Sequence, residues 1–362
     1  MSTTEIRRAI AAIRPPKDPS RQAARELQAR LTKPGGALGR LEELHVWAAG
    51  IFRDAAPAVA RRTIVVAAAD HGVAADGVSA YPQDVTWQMV QNFLAGGAAV
   101  NVLAAHAHAD VRIVDAGVAR ETMDDRLHVA SVRRGTSSMT AGPAMSRDEA
   151  ETLIRRGIDF AARLITAAPD RCSIIGLGDM GIGNTTAAAA ITSVVAGAPP
   201  RTTAGRGTGI DDATFAAKVA AIERAIAINA PDATDAIDVL AKVGGFEIAF
   251  LAGVAIGAAA NGAAVVVDGY PTTAAALVAA ALAPACTDYM LAAHLSAEPG
   301  HAIALAHLEL RPVLQLDMRL GEGTGAALAI SLIGAALRIP REMATFDSAG
   351  VSRSETETRP EA

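Results

Sequence analysis

Four short runs of small and β-branched residues, each closing on an aspartate, constrain this chain most. Residues 63–69 lead into Asp70-His71-Gly72, residues 111–114 into Asp115, residues 173–177 into Gly178-Asp179, and residues 263–267 into Asp268-Gly269. Each has the length of a strand, and their unbroken apolar character fits strands covered on both faces. Residues 313–316 read as a fifth. Helical spacing fills the intervals. Ser146-x-x-Glu149 forms a capping box ahead of Ala150, Leu153, Ile154, Ile158, Ala161 and Leu164, all on one helical face. Strands alternating with helices predict an α/β fold built on a parallel sheet. Such sheets bind ligands at the carboxyl ends of their strands, where the acidic residues and glycines of this sequence collect.

The preceding segment is different. Residues 1–60 are mostly helical in pattern: Ile6, Ile10 and Ile13 share a face, Pro15-Pro16 stops that helix, a second covers 21–31, and Lys33-Pro34-Gly35-Gly36 separates it from a third over 38–52. The expected organisation is a helical part of a small domain over 1–60, an α/β domain over 61–350, and a disordered polar tail over 351–362. Hydrophobic residues make up 51% of the 362 positions and aromatics only 3%, so Ala, Val, Ile and Leu must fill the core. A net charge of −5 with two Trp and three Tyr argues against a nucleic-acid partner. Cys172 and Cys286 lie in apolar runs and read as buried thiols of a reducing compartment, which points to the cytoplasm. The N-terminus lacks the apolar core of a signal peptide. Residues 248–267 carry no charge and are long enough to span a bilayer, but Asn261-Gly262 interrupts them; they read as a buried helix followed by a buried strand, not a membrane span.

Three glycine-rich turns carry the chemistry. Gly178-Asp179-Met180-Gly181-Ile182-Gly183-Asn184-Thr185-Thr186 joins a strand to an Ala-rich helix, where backbone N–H groups and hydroxyls are able to hold an anion. It is also what a tight turn with an Asn184 or Thr185 cap would look like. Gly205-Arg206-Gly207-Thr208-Gly209-Ile210-Asp211 repeats the arrangement before a helix bearing Lys218. Leu320-Gly321-Glu322-Gly323-Thr324-Gly325 sets a carboxylate between glycines at a helix start, open to a ligand or simply a first-turn acid. A fourth segment, residues 76–89, brings Ser79, Tyr81, Gln88 and Met89 together, suitable contacts for a flat heterocycle. Metal ligands are not clustered: His106-x-His108 with Asp110 is the nearest approach, and Asp70-His71 has no third ligand at regular spacing.

Taken in order, Asp70-His71-Gly72-Val73, Gly77-Val78-Ser79-Ala80-Tyr81-Pro82-Gln83, Gly181-Ile182-Gly183-Asn184-Thr185-Thr186, Gly205 to Asp211, Asp268-Gly269-Tyr270-Pro271 and Arg319-Leu320-Gly321-Glu322-Gly323-Thr324-Gly325 closely resemble the nicotinate-nucleotide–dimethylbenzimidazole phosphoribosyltransferase family. The likeness runs from about Lys33 to about Ser348. It implies a Rossmann-like α/β fold, a homodimer, no cofactor and no metal. It also implies transfer of the phosphoribosyl group of nicotinate mononucleotide to 5,6-dimethylbenzimidazole for the lower ligand of cobalamin. By the same resemblance Glu322 is the general base, and Ser79, Tyr81, Gln88, Met180 and Leu320 form the acceptor pocket. Gly181, Gly183, Asn184, Thr185, Gly205, Gly207, Gly209, Lys218 and Ser296 hold the phosphate, with Asp179 at the ribose. Asp179 stands where the family pattern has Glu, and Ala37 where it has Ser. Two alternatives stay open: another acceptor base or a phenol, and a catalytically silent binder of nucleotide or heterocycle.

Overall fold

The computed structural model describes residues 2–167, 172–207 and 209–352, apart from the side chains of Ser2, Ala60 and Cys172. The expected tail therefore lies almost wholly outside the described residues, as do Thr208 and the Cys172 thiol. The runs read from the sequence form β1 (Val59–Ala69), β2 (Asp110–Gly117), β4 (Cys172–Met180) and β5 (Ala264–Val267). With two short strands, β3 (His128–Val129) and β6 (Met290–Ala292), they make one sheet in the order β3-β2-β1-β4-β5-β6. Every pairing in it is parallel. Residues 64–69 of β1 are all fully buried, and since successive side chains alternate between faces, both faces of the sheet are covered.

The expected fifth strand needs correction. Only Leu314–Gln315 (β8) is extended, and it pairs with β7 (His294–Leu295) in a separate two-stranded sheet. The charge-free stretch is the helix Phe246–Ala260 followed by β5, as its Asn261-Gly262 break suggests. No helix among the described residues is long and apolar enough to cross a membrane.

Small residues let the layers approach. The helices Arg147–Thr166 and Phe246–Ala260 form the most extensive helix pair. A side chain at Gly157 would collide with the Phe250 carbonyl, and one at Gly253 with that of Ile154. The few aromatics are therefore no handicap: close backbone approach replaces bulky filling. The capping box is present, Ser146 Oγ accepting from Glu149 N–H and Glu149 Oε2 from Ser146 N–H. The N-terminal helices do not stand apart. Ser2–Ala12 packs on Arg147–Thr166 and Phe246–Ala260, while Arg40–Phe52 packs on the C-terminal helix Thr324–Glu342. Leu31 bridges to Thr345.

Chain order sets the site. From β1 the chain moves outward to β2 and β3 on one side, then returns to β4 and continues to β5 and β6 on the other. The sheet thus switches direction between β1 and β4, and a crevice opens beyond the carboxyl ends of those strands.

Candidate active site

A cleft of about 110 Å³, open at one side, lies at this switch point. Its lining includes Ser79, residues 179–185, Gly207, Lys218, His294, Ser296, Glu298 and residues 319–321. At one end the helix Asn184–Val195 begins after Gly183, whose φ of 94° suits glycine. The turn is anchored from outside: Ile182 N–H donates to Thr86 Oγ1 (3.1 Å), on the helix Val85–Ala95. Thr86 therefore braces the turn and does not cap its own helix.

Lys218 reaches this end from the helix Asp212–Asn229 and is 1% exposed. Its Nζ donates to Thr185 Oγ1 (2.8 Å) and Gly205 O (3.1 Å). Burial pulls its pKa down to about 8 against the attraction of Glu298. Glu298 Oε1 accepts from Gly207 N–H at 2.8 Å, while its Oε2 is buried without a partner. A buried ammonium and a helix start converge here, which is the chemistry of an anion site.

Acidic groups gather beside the same glycine turn. Asp179 ends β4 and is buried; Asn184 Nδ2 donates to its Oδ2 (2.8 Å), and Oδ1 has no partner. Burial, and then the charges of Asp268, Glu247 and Glu322, push its pKa well above the usual carboxylate value. Asp268 takes the N–H groups of Gly323 (3.1 Å) and Ala326 (2.8 Å), pinning the turn that carries Glu322. Below the glycine turn, His71 Nε2 lies 2.8 Å from Glu247 Oε1 in a fully buried pair. Burial opposes the His71 charge, but Glu247 beside it raises the pKa. Such a field favours a cation placed among these groups.

Glu322 sits in the left-handed region with φ 64°, between Gly321 (83°) and Gly323 (90°). A left-handed non-glycine residue costs about 1–2 kcal/mol. Its side chain is buried, with Oε2 unpartnered. Burial raises its pKa, the Val100 backbone N–H lowers it, and the Asp268 charge raises it further.

The structure brings most of the expected residues together. Ser79, Asp179, Met180, Gly181, Gly183, Asn184, Thr185, Gly207, Lys218, Ser296 and Leu320 line the cleft. Gly205 stands behind, its carbonyl on Lys218. Glu322 lies just past the lining, adjoining Gly321. Tyr81 is 50% exposed beside Ser79, Gln88 is exposed, and neither they nor Gly209 line the cleft. His294 and Glu298 went unnoticed in the sequence. The alternation His294-x-Ser296-x-Glu298 was the available signal, since all three polar residues turn to the cleft. Among the described residues no three His, Cys, Asp or Glu side chains form a group able to hold a metal ion.

The phosphoribosyltransferase family model matches residues 13–351. A curated relative from Desulforudis audaxviator, named nicotinate-nucleotide–dimethylbenzimidazole phosphoribosyltransferase, is 52% identical over 97% of this chain and 99% of its own. One of the same name from Chloroflexus aggregans is 52% identical over 94% and 96%. A crystal structure of the enzyme so named from Thermus thermophilus matches with a TM-score of 0.87 at 45% identity, covering 93% of this chain and all of that one. The chain belongs to the nicotinate-nucleotide–dimethylbenzimidazole phosphoribosyltransferase family.

Proposed function

We propose that this chain moves the phosphoribosyl group of nicotinate mononucleotide to 5,6-dimethylbenzimidazole, releasing nicotinate and α-ribazole 5′-phosphate. One observation carries the reading: a buried ammonium at the glycine turns and buried carboxylate oxygens without partners, Asp179 Oδ1 among them, line one cleft. The first suits a phosphate. The second suits the positive charge that develops at the ribose anomeric carbon, C1′. In the reaction the acceptor's ring nitrogen forms a bond to C1′ as the bond to the pyridinium nitrogen breaks. That electron pair neutralises the departing nicotinate ring. Positive charge then lies on the benzimidazole, and its remaining N–H proton passes to Glu322. A carboxylate with raised proton affinity is fitted to that task. Positioning by Lys218, Thr185 and Gly207 and the field of Asp179 and Asp268 supply the rest.

Ser79, Met180 and Leu320 are the acceptor contacts this reading uses first, with Tyr81 and Gln88 approaching from the mouth. Tyr81 and Leu320 expose large apolar surface there. That exposure supports the homodimer, as a surface for a second copy or the acceptor to cover. The reading implies a cytoplasmic enzyme, in keeping with the free, buried Cys286.

The test is nicotinate release from the mononucleotide with and without benzimidazoles. Release that depends on 5,6-dimethylbenzimidazole supports the reading. Release with purines or phenols alone would move the acceptor assignment, and tight binding without any release would make the protein a binder.

A further inference from the structure

His294 is a buried titratable side chain that the mechanism above leaves unused. It lies on β7, is 1% exposed and lines the cleft. Neither ring nitrogen has a hydrogen-bond partner. The nearest acid atom, Asp268 Oδ1, stands 3.9 Å from Nε2, beyond hydrogen-bond reach. Both Asp268 oxygens are already engaged by Gly323 and Ala326. His301, with its ring centroid 6.0 Å away, is satisfied elsewhere: Nδ1 accepts from Ser296 N–H and Nε2 pairs with Thr273 Oγ1. Buried polar groups are nearly always hydrogen-bonded, so an imidazole with a free donor and a free acceptor at a cleft wall points to a ligand.

We propose that His294 binds a ribose hydroxyl of the mononucleotide. The inference rests on the phosphoribosyl reading. Ser296, two residues on, accepts from Glu298 N–H, and Glu298 accepts from Gly207 N–H beside Lys218. Two residues of extended chain advance about 6.5 Å, roughly the span from a 5′-phosphate to the ribose diol. Asp179 Oδ1 is a second open position among the cleft-lining residues. A hydroxyl is both donor and acceptor and meets one need of each residue. A charged ligand group is disfavoured there. The nicotinate carboxylate would lie against Asp268, Asp179 and Glu322, a like-charge encounter in a buried setting. A neutral hydroxyl meets no such repulsion.

The experiment measures calorimetric affinity, without acceptor, for nicotinate mononucleotide and its 2′-deoxy and 3′-deoxy analogues. It compares the unmodified chain with His294→Phe, which keeps a ring in the space, and His294→Gln, which keeps a donor and an acceptor. Thermal melting establishes that each variant is folded. The unmodified chain should lose roughly ten-fold in affinity on removal of at least one hydroxyl. In His294→Phe that penalty should vanish while affinity for the parent nucleotide falls by a similar factor; His294→Gln should recover part of both. A merely structural histidine would weaken all three ligands alike, so an unchanged deoxy penalty in His294→Phe overturns the assignment. An unmodified chain that binds none of the three overturns the phosphoribosyl reading and this inference with it.

Discussion

Replacing Lys218 by methionine should separate folding stability from ligand affinity. The ammonium is 1% exposed, and burial draws its pKa from 10.5 to about 8, opposed by Glu298. A drop of that size corresponds to about 3 kcal/mol against the charged form. The folded-state pKa lies below the unfolded one, so between about pH 8 and 10.5 the unfolded chain holds more protons. Stability from this group therefore rises with pH across that window, and below pH 8 the full cost is present. Methionine removes the cost. It also leaves Glu298 without its counter-charge and strips a donor from Thr185 Oγ1 and Gly205 O, each such bond contributing about 1 kcal/mol. These effects offset one another, and the thermal midpoint at pH 7 should move by only a few degrees. Affinity for the mononucleotide should not be spared. Loss of a charge-assisted hydrogen bond to phosphate removes about 1.5–3 kcal/mol, or roughly 10- to 150-fold. A protonic signature accompanies it. A phosphate beside Nζ restores the ammonium, so binding at pH 8 draws about half a proton into Lys218, and at pH 7 about a tenth. Titration calorimetry in two buffers of different ionisation enthalpy reads this directly. Subtracting the Lys218→Met result removes protons exchanged by the phosphate itself and by Asp179. Equal proton uptake at pH 8 in the two proteins would refute the placement of phosphate at Lys218.

Glu322→Gln keeps the shape and removes the base; kcat should fall about 10²- to 10⁴-fold with little change in mononucleotide affinity, and a near-normal kcat would remove Glu322 from the mechanism. Asp179→Asn should lower kcat/KM by less than that while raising the thermal midpoint at pH 7–8. The folded pKa of Asp179 is raised, so its destabilising effect builds as pH climbs from the unfolded value, and the gain from Asn should shrink toward pH 4. A midpoint gain that persists unchanged at pH 4 would contradict this. Ser79 lines the cleft and Gln88 does not, so Ser79→Ala should raise the acceptor KM more than Gln88→Ala does; the reverse order would place Gln88 against the acceptor in the working enzyme.

The strands β1, β2, β4 and β5 were legible because each is a run of buried small or β-branched residues closing on Asp or Gly. β3, β6 and β7, of two or three residues, were not: no periodicity can be read in His128–Val129 or His294–Leu295, whose extension comes from their neighbours in the sheet. The run at 313–316 looked like a strand of the main sheet because composition reports burial and β-propensity, not which partner a strand finds. The same distinction runs through the site. Glycine turns announce themselves, since backbone geometry demands the residue, so Gly181, Gly183, Gly207 and Gly321 were found. His294 and Glu298 look like ordinary polar residues until β7 sets them against Asp268 and Gly207. Tyr81, in the loop before Val85, and Gln88, on the helix Val85–Ala95, are exposed, and tertiary packing rather than local pattern decides that.

The left-handed backbone at position 322 has an evolutionary reading. Three successive residues, 321 to 323, have positive φ, and glycine occupies the two outer positions. Selection for foldability alone would make the middle one glycine or asparagine as well, relieving the strain and an unpartnered buried oxygen together. In this chain a carboxylate stands there against the grain of its own turn. A library screened only for heat resistance should therefore drift toward Gly or Asn at 322 and lose turnover as it does, whereas one screened for nicotinate release should hold Glu322 and gather its stabilising changes elsewhere.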